Sequence, residues 1–158
     1  MESLSDYIKQ AKNSQLIHLN LGQYRLTELP EALFELTQLE SLNLGDYFEV
    51  WDKTHPAYPG ADHTFDHKAK TSADVGSRLP EIPTSLGQLI NLKALFLGDN
   101  KTGWPAGTLE RIAQLFPSLE RLHISQLHSS DISALKQLSG LIDLELNDCA
   151  IVDISALT

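Results

Sequence analysis

The stretch from Leu92 to Thr102 reads Leu-Lys-Ala-Leu-Phe-Leu-Gly-Asp-Asn-Lys-Thr and follows the pattern L-x-x-L-x-L-x-x-N-x-T. Four further segments align with its leucines, and they begin at Leu16, Leu39, Leu119 and Leu141. A pattern that recurs in this way predicts one parallel strand and one return segment in every copy. The copies must stack, because one repeat alone buries too few side chains to offset the entropy of ordering its chain.

This spacing is typical of leucine-rich repeats. The sequence therefore predicts an α/β solenoid of about five repeats, with a parallel β-sheet on its concave face and short helices and turns on its convex face. Ser3 and Asp6 have the spacing of a capping box and predict a helix that runs to Asn13 and covers the first repeat. A second helix is predicted over residues 108–116, on the convex side.

The second repeat is interrupted. The first two opening leucines, Leu16 and Leu39, are 23 residues apart, whereas Leu39 and Leu92 are 53 residues apart, so this repeat carries about 30 extra residues. We predict a single leucine-rich repeat domain over 1–158, composed of a capping helix over 1–15, repeats over 16–158, and an inserted loop over 45–78.

Two kinds of repeat are recognisable. Residues 26–37 and 79–89 resemble the bacterial LPxxLxxL type, and Ser130–Leu135 and Val152–Leu157 resemble the internalin-like type with a DIS-x-L return. A helix before the first repeat and a long insertion in the second are similar to the N-terminal repeat block of bacterial Roco proteins. In that family such repeats precede a Ras-like GTPase, but the sequence contains no G-x-x-x-x-G-K-[ST] motif.

Leucine-rich repeats usually place an asparagine in the turn after the strand. This chain departs from that pattern, because only one of its turns has asparagine there. A continuous asparagine ladder is therefore not expected at these positions, which hold Tyr24, Tyr47, Asn100, Leu127 and Cys149.

Composition restricts the partner and the compartment. A formal net charge of -9 argues against nucleic acid and favours a basic or neutral protein. The sequence shows neither a secretory signal at Met1 nor an apolar run that spans a membrane, so we expect a cytoplasmic protein without a membrane partner. A single cysteine, Cys149, agrees with a reducing compartment. We predict no cofactor.

Alternation along each strand sends the residues between the leucines to the concave surface. That surface is the predicted protein-binding site, and three of its rows supply the candidate residues. The candidates are His18, Asn20, Asn43, Asp46, Phe96, Asp99, Arg121, His123, Asp143 and Glu145.

Phe96 is a large apolar side chain predicted to stand among small and polar neighbours on this face. One interpretation is that it anchors a partner, since aromatic residues are favoured anchors. The other is that the inserted loop folds back and covers it. If Phe96 is exposed, its replacement with Ala should abolish partner capture and leave the thermal midpoint nearly unchanged.

The inserted loop is rich in histidine and aspartate. His63 and His67 are four residues apart, so on a helix their imidazoles would share a face and offer two ligands to a metal, with His55 as a third. The alternative is a surface loop whose aromatic residues pack on the solenoid and whose histidine and charged side chains are solvated. Zinc titration followed by calorimetry distinguishes the two.

The leading functional hypothesis is a non-catalytic protein-protein interaction module that uses the concave face and the inserted loop. The alternatives are a metal-binding or metal-dependent hydrolytic site in the insertion, and a regulatory fragment of a larger signalling or effector protein. No nucleophile, base and orienting group share a recognisable spacing, which argues against an enzyme. The last repeat is also predicted to self-associate, because its apolar residues lack a neighbour on one side; these are Leu144, Leu146, Ile154 and Leu157.

Overall fold

A computed structural model describes residues 3–22, 24–45, 77–98 and 100–158 of the chain. The described strands form one five-stranded parallel sheet in which each strand lies beside the next one in sequence. The leucine-rich pattern is therefore confirmed as a stack of strand-and-return units. The strands are β1 (His18–Asn20), β2 (Ser41–Asn43), β3 (Ala94–Leu97), β4 (Arg121–Ser125) and β5 (Asp143–Asn147).

The register follows the repeat. Leu19 pairs with Leu42, Leu42 with Leu95, Leu95 with Leu122, and Leu122 with Leu144, so the second leucine of every copy falls in one row. These leucines point away from the concave face into one apolar core together with the leucines of the return segments. Each layer is buried by the layers on either side of it, which is why the sequence period decides the fold.

The return segments are short. Four are 3-10 helices, and the third repeat instead has the α-helix α2 (Thr108–Leu115), within one residue of the predicted 108–116. Prolines stand immediately before the first two 3-10 helices in extended conformation, where a missing N–H costs nothing. The 3-10 helices are Glu31–Glu35, Thr84–Gln88, Ser133–Gln137 and Ser155–Leu157.

The N-terminal helix α1 spans Leu4–Asn13. Ser3 is its N-cap, and the Ser3 hydroxyl oxygen accepts a hydrogen bond from the Asp6 amide at 3.1 Å, as the capping-box spacing predicted. Its Ile8 and Ala11 are buried in the core of the stack. The helix therefore shields the apolar layer of the first repeat from water.

The predicted inserted loop over 45–78 overlaps the described stack at its C-terminal end. Ser77 and Arg78 already belong to the stack: the Arg78 amide donates to the Leu26 carbonyl at 2.7 Å, and Ser77 forms a parallel bridge with Asn100. The Ser77 hydroxyl also accepts a hydrogen bond from the Leu26 amide. Ser77 and Arg78 are thus part of the second repeat, between its neighbours.

The single turn asparagine is fully buried. The Asn100 side chain accepts a hydrogen bond from the Leu79 amide and donates to the carbonyls of Leu79 and Gly103, at 2.8 to 2.9 Å. It therefore satisfies backbone groups of two repeats inside a dry turn. At the equivalent position of the first repeat, the Tyr24 ring stacks on Tyr7 of α1 with ring centroids 5.7 Å apart.

Candidate functional site

Two rows of side chains cross the concave face of the sheet. Strand register places the residues of each row next to one another, as the repeat alignment predicted. The outer row is His18, Ser41, Ala94, Arg121 and Asp143; the inner row is Asn20, Asn43, Phe96, His123 and Glu145.

Most of the inner row is buried, and the expectation of a solvated concave surface is wrong for these residues. Asn20, Asn43, Phe96 and His123 are each no more than 8% exposed. Ser41 and Ala94 in the outer row are buried as well. A strand's alternation fixes the side to which a residue points, but neighbouring side chains decide how much water reaches it.

The two asparagines are held by backbone groups. Asn20 Oδ1 accepts hydrogen bonds from the Gly22 amide and from Asn43 Nδ2, both at 3.0 Å, and Asn43 Oδ1 accepts one from the Gly45 amide at 2.9 Å. This short ladder lies on the concave side of the sheet, away from the turn position where repeats usually carry asparagine. Its amides therefore have a structural role in joining the first two repeats.

Phe96 is 1% exposed although it points away from the leucine core. Its ring meets the His123 ring edge-on, with centroids 5.0 Å apart. A solvated aromatic anchor is therefore excluded for Phe96. The alternative, that the inserted loop covers it, involves residues that lie outside the described ranges.

Charged residues concentrate on β4 and β5. His123 Nε2 lies 3.1 Å from Asp143 Oδ2, and His123 Nδ1 lies 3.1 Å from Glu145 Oε2. These two contacts become ion pairs when the imidazole is protonated. Arg121 Nη1 lies 3.3 Å from the same Asp143 oxygen. Two basic side chains thus alternate with two carboxylates across neighbouring strands.

Arg121, Asp143 and Glu145 of this cluster are partly accessible to solvent, whereas His123 is buried. The side chains of Arg121, Asp143 and Glu145 are between a quarter and a third exposed, at 25%, 32% and 34%. Charged groups at this depth are screened less than groups in open solvent, and they remain within reach of another protein. Opposite charges at aligned positions of adjacent repeats were present in the sequence and signal this pairing.

His18 begins the outer row at the other end of the sheet. Its Nδ1 lies 2.9 Å from the Ser41 hydroxyl, and burial lowers the pKa of the imidazole, an effect partly opposed by the charge of Glu40. The buried Ser41 hydroxyl is closed to a substrate, so this pair does not form a nucleophile and base. The half-buried Cys149 is equally unsuited, because burial raises the pKa of its thiol.

Several predicted residues lie outside the described ranges. Asp46 and Asp99 of the concave face belong to this group, as do His55, His63 and His67 of the predicted metal site. Within residues 3–22, 24–45, 77–98 and 100–158, no three histidine, cysteine or acidic side chains converge on a point that holds a metal ion. Metal binding by the insertion stays a prediction of the sequence.

The C-terminal end of the stack carries exposed aliphatic side chains. Ile154 and Leu157 were predicted there and are exposed, whereas Leu144 and Leu146 are half-buried against β4. Ile142 and Val152 are more exposed still, at 72% and 88%, and the repeat pattern did not single them out. In the described part of the chain, no helix combines the length and the hydrophobicity of a membrane span.

Comparison with known proteins gives a match in fold. No family model and no curated protein sequence matches the chain. Among solved structures, the internalin inlF of Listeria monocytogenes matches 99% of this chain with 20% identity and a TM-score of 0.56. Internalin C2 of the same species matches 84% with 22% identity and a TM-score of 0.48, and a leucine-rich repeat protein of Leptospira interrogans matches 94% with 21% identity and a TM-score of 0.49.

These neighbours are longer proteins. The chain spans 34%, 52% and 36% of their respective lengths. At 20% identity, the match to inlF establishes the fold and nothing more specific. The fold is a leucine-rich repeat solenoid.

Proposed function

We propose that this leucine-rich repeat solenoid is a non-catalytic module that binds another protein through its concave sheet face, with the inserted loop beside it. The observation that carries the proposal is the alternating cluster of Arg121, His123, Asp143 and Glu145, which is partly open to solvent at the C-terminal half of that face. Solenoids of stacked repeats present extended surfaces of this kind to their partners.

The buried residues of the same rows have a supporting role in this proposal. Asn20, Asn43 and Phe96 are packed or hydrogen-bonded within the stack, so they fix the surface on which the charged cluster is displayed. His18 at the other end of the face is half-exposed and remains a candidate contact. Asp46 and Asp99 complete the proposed site from the sequence alone.

An affinity capture with three versions of the chain tests the proposal. Arg121→Glu reverses the central charge of the concave cluster, and Lys136→Glu makes the same charge change on an exposed return segment. We expect proteins captured by the wild type to be lost from Arg121→Glu and retained by Lys136→Glu. Equal thermal midpoints establish that both variants are folded. Capture of the same proteins by all three chains would contradict a concave-face site.

Self-association through the C-terminal end is a second candidate. Four exposed aliphatic residues of the last repeat favour it, because burial of these side chains between two copies would remove apolar surface from water. They are Ile142, Val152, Ile154 and Leu157. Light scattering over a range of concentrations measures the mass directly, and a strict monomer at high concentration would contradict this candidate.

The compartment and the wider family are part of the proposal. We infer a cytoplasmic protein from the single Cys149, which agrees with a reducing compartment. The similarity to the repeat block of Roco proteins stays a prediction from sequence. A fractionation experiment with the native protein tests the location.

A further inference from the structure

A cavity of about 150 Å³ lies on the convex side of the stack, between the return segments of the second and third repeats. Glu81 and Ile82 of the second repeat line one side of it, and the start of α2 lines the other. The lining residues of the third repeat are Pro105, Gly107, Thr108 and Arg111. None of these six residues belongs to the concave face, so the cavity is separate from the proposed protein-binding site.

The cavity lies where two repeats of different length meet. Leu92 and Leu119, which open the third and fourth repeats, are 27 residues apart, whereas Leu119 and Leu141 are 22 residues apart. The longer third repeat has α2 where its neighbours have 3-10 helices. Return segments of different length and helix type do not stack residue on residue, so space remains at the start of α2.

The start of α2 offers hydrogen-bond donors that lack acceptors. Gly107 occupies the N-cap position, so no side chain caps this helix. Within the described residues, no acceptor bonds the amides of Leu109 and Glu110 in the first turn. Unbonded N–H groups and the helix dipole give a helix N-terminus a partial positive charge, which favours an anionic group.

Thr108 is an independent indication of a ligand. The residue is 3% exposed, and its hydroxyl oxygen has no hydrogen-bond partner in the described part of the chain. A hydroxyl group that is buried without a partner costs free energy, so an orphan of this kind needs an explanation such as a ligand or water. Because Thr108 lines the cavity, a molecule bound there would be placed to accept a hydrogen bond from it.

Arg111 adds a positive charge to the same side of the cavity. Its Nη1 donates to the Ile82 carbonyl at 2.6 Å and lies 3.3 Å from Glu81 Oε2. A guanidinium has five N–H donors and binds carboxylates well. Glu81 shows that a carboxylate reaches Arg111 here, and because the Glu81 side chain is 59% exposed, a ligand carboxylate can take its place.

The size and the apolar lining of the cavity restrict the ligand. A cavity of about 150 Å³ accommodates benzene, a molecule of about six heavy atoms. Drug-sized ligands occupy cavities of about 300–1,000 Å³, so a nucleotide is too large. Ile82 and Pro105 offer apolar surface to a short hydrocarbon chain. An aliphatic acid of about four carbon atoms fits both the volume and the donors.

We propose that this cavity binds the carboxylate group of a short aliphatic chain. The carboxylate accepts hydrogen bonds from the Thr108 hydroxyl and the first amides of α2, and it pairs with Arg111 in place of Glu81. The hydrocarbon lies against Ile82. A free small acid and the C-terminal residue of a polypeptide both present this group. The site is independent of partner binding on the concave face.

Butyrate, butyramide and butylammonium are matched probes, because they share a four-carbon chain and differ in charge. Titration of the isotope-labelled full chain, followed by amide NMR, should show saturable shifts at Gly107, Thr108 and Leu109 with butyrate. Butyramide should bind at least about tenfold more weakly, since hydrogen bonds to a charged group are stronger than those to a neutral one. Butylammonium should cause no saturable shift. Equal binding of the three probes, or no shift with butyrate, would overturn the proposal.

A change at Thr108 separates binding from stability. Thr108→Val keeps the shape of the side chain and removes the hydroxyl, and Thr37→Val makes the same change at an exposed position. We expect Thr108→Val to weaken butyrate binding by about fivefold and not to lower the thermal midpoint, because its hydroxyl has no protein partner to lose. Thr37→Val should keep the wild-type affinity. An unchanged affinity in Thr108→Val would overturn the proposal.

Changes at Glu81 and Arg111 should act in opposite directions. Glu81→Gln removes the carboxylate that competes for Arg111 and should tighten butyrate binding, whereas Arg111→Gln should abolish it. Arg111 also bonds the Ile82 carbonyl, so if Arg111→Gln lowers the thermal midpoint, the Glu81 variant is the deciding measurement. Weaker binding in Glu81→Gln would overturn the proposal.

A peptide distinguishes the two sources of the carboxylate. Acetyl-glycyl-glycyl-valine has a free C-terminal carboxylate next to an aliphatic side chain, and its C-terminal amide is the control. Competition of the free acid, but not the amide, with butyrate would support a polypeptide terminus as the ligand. Butyrate binding without such competition would support a free small acid. Displacement of butyrate by the acid and the amide alike would overturn recognition of a carboxylate.

Discussion

Phe96 lies on the concave side of the sheet but is almost completely excluded from solvent. Its position was predictable from the alternation of the strand, because its backbone neighbours Leu95 and Leu97 are both in the leucine core. Its burial was one of the two outcomes that the sequence left open, because exposure on the concave side depends on what packs over the ring, and the edge-on ring of His123 is one such contact. A periodic sequence therefore predicts the side of the sheet to which a side chain points more reliably than it predicts the exposure of that side chain to solvent.

Replacement of Phe96 with Ala tests that burial. Loss of a buried phenylalanine side chain typically costs about 3–5 kcal/mol, so we expect a clear fall in the urea midpoint of unfolding. Val152→Ala is the control, because Val152 is exposed and its truncation should change the midpoint little. An unchanged midpoint in Phe96→Ala would restore the exposed-anchor interpretation.

Glycines allow the strand ends to approach closely. A Cβ added to Gly45 would overlap the backbone of Gly98, whereas a Cβ added to Gly107 would meet nothing within 4 Å. We therefore expect Gly45→Ala to destabilise the chain by about 1–3 kcal/mol or more, and Gly107→Ala to cost much less. Thermal unfolding of the two variants measures the difference, and equal effects would show that the repeats can move apart.

At the scale of elements, the DIS-type returns begin with an aspartate whose side chain bonds the first amide of a 3-10 helix. Asp131 Oδ1 accepts a hydrogen bond from the Ser133 amide, and Asp153 Oδ1 accepts one from the Ser155 amide, each at 2.8 Å. These hydrogen bonds hold the pKa of both carboxyl groups below the usual value of 3.8. In both returns, the aspartate of the D-I-S motif thus accepts a hydrogen bond from the amide of the serine two residues later.

A pH dependence of stability follows from these two hydrogen bonds. Because the folded state favours the carboxylates, their contribution to stability is present above pH 3.8 and is lost as the pH falls through the lower folded-state pKa values. We expect the double variant Asp131→Asn with Asp153→Asn to keep its stability near neutral pH, since the Asn side-chain oxygen also accepts this hydrogen bond, but to show a shallower acid dependence. The double Ala variant should be less stable throughout. Urea unfolding between neutral and acidic pH measures the stability of the Asn and Ala double variants. The same dependence of stability on pH in the wild type and the Asn variant would contradict a contribution from the two carboxylates.

The element boundaries were largely predictable because each depends on local signals, such as the Ser3–Asp6 capping box and the proline before two of the returns. The inclusion of Ser77 in the stack was not predictable, because it depends on hydrogen bonds to Leu26 and Leu44, which are distant in sequence. The charged cluster of the candidate site was predicted by residue, but the pairing of Arg121 with Asp143 emerges only when the repeats are aligned.

At the scale of the whole molecule, the layers of the stack differ in the number of neighbours that the described chain gives them. The first layer is covered by α1 and β4 has a strand on each side, whereas β5 pairs with one described strand. Stability in such a stack is approximately a sum of repeat and neighbour terms, so a layer with one neighbour opens at lower free energy than a layer with two.

Native-state hydrogen exchange should therefore show a gradient along the stack. We expect the amides of β4 to exchange only in global unfolding, and the amides of β5, including Leu144 and Leu146, to exchange through a smaller local opening. Protection that is uniform from β1 to β5 would mean that the stack opens as one unit.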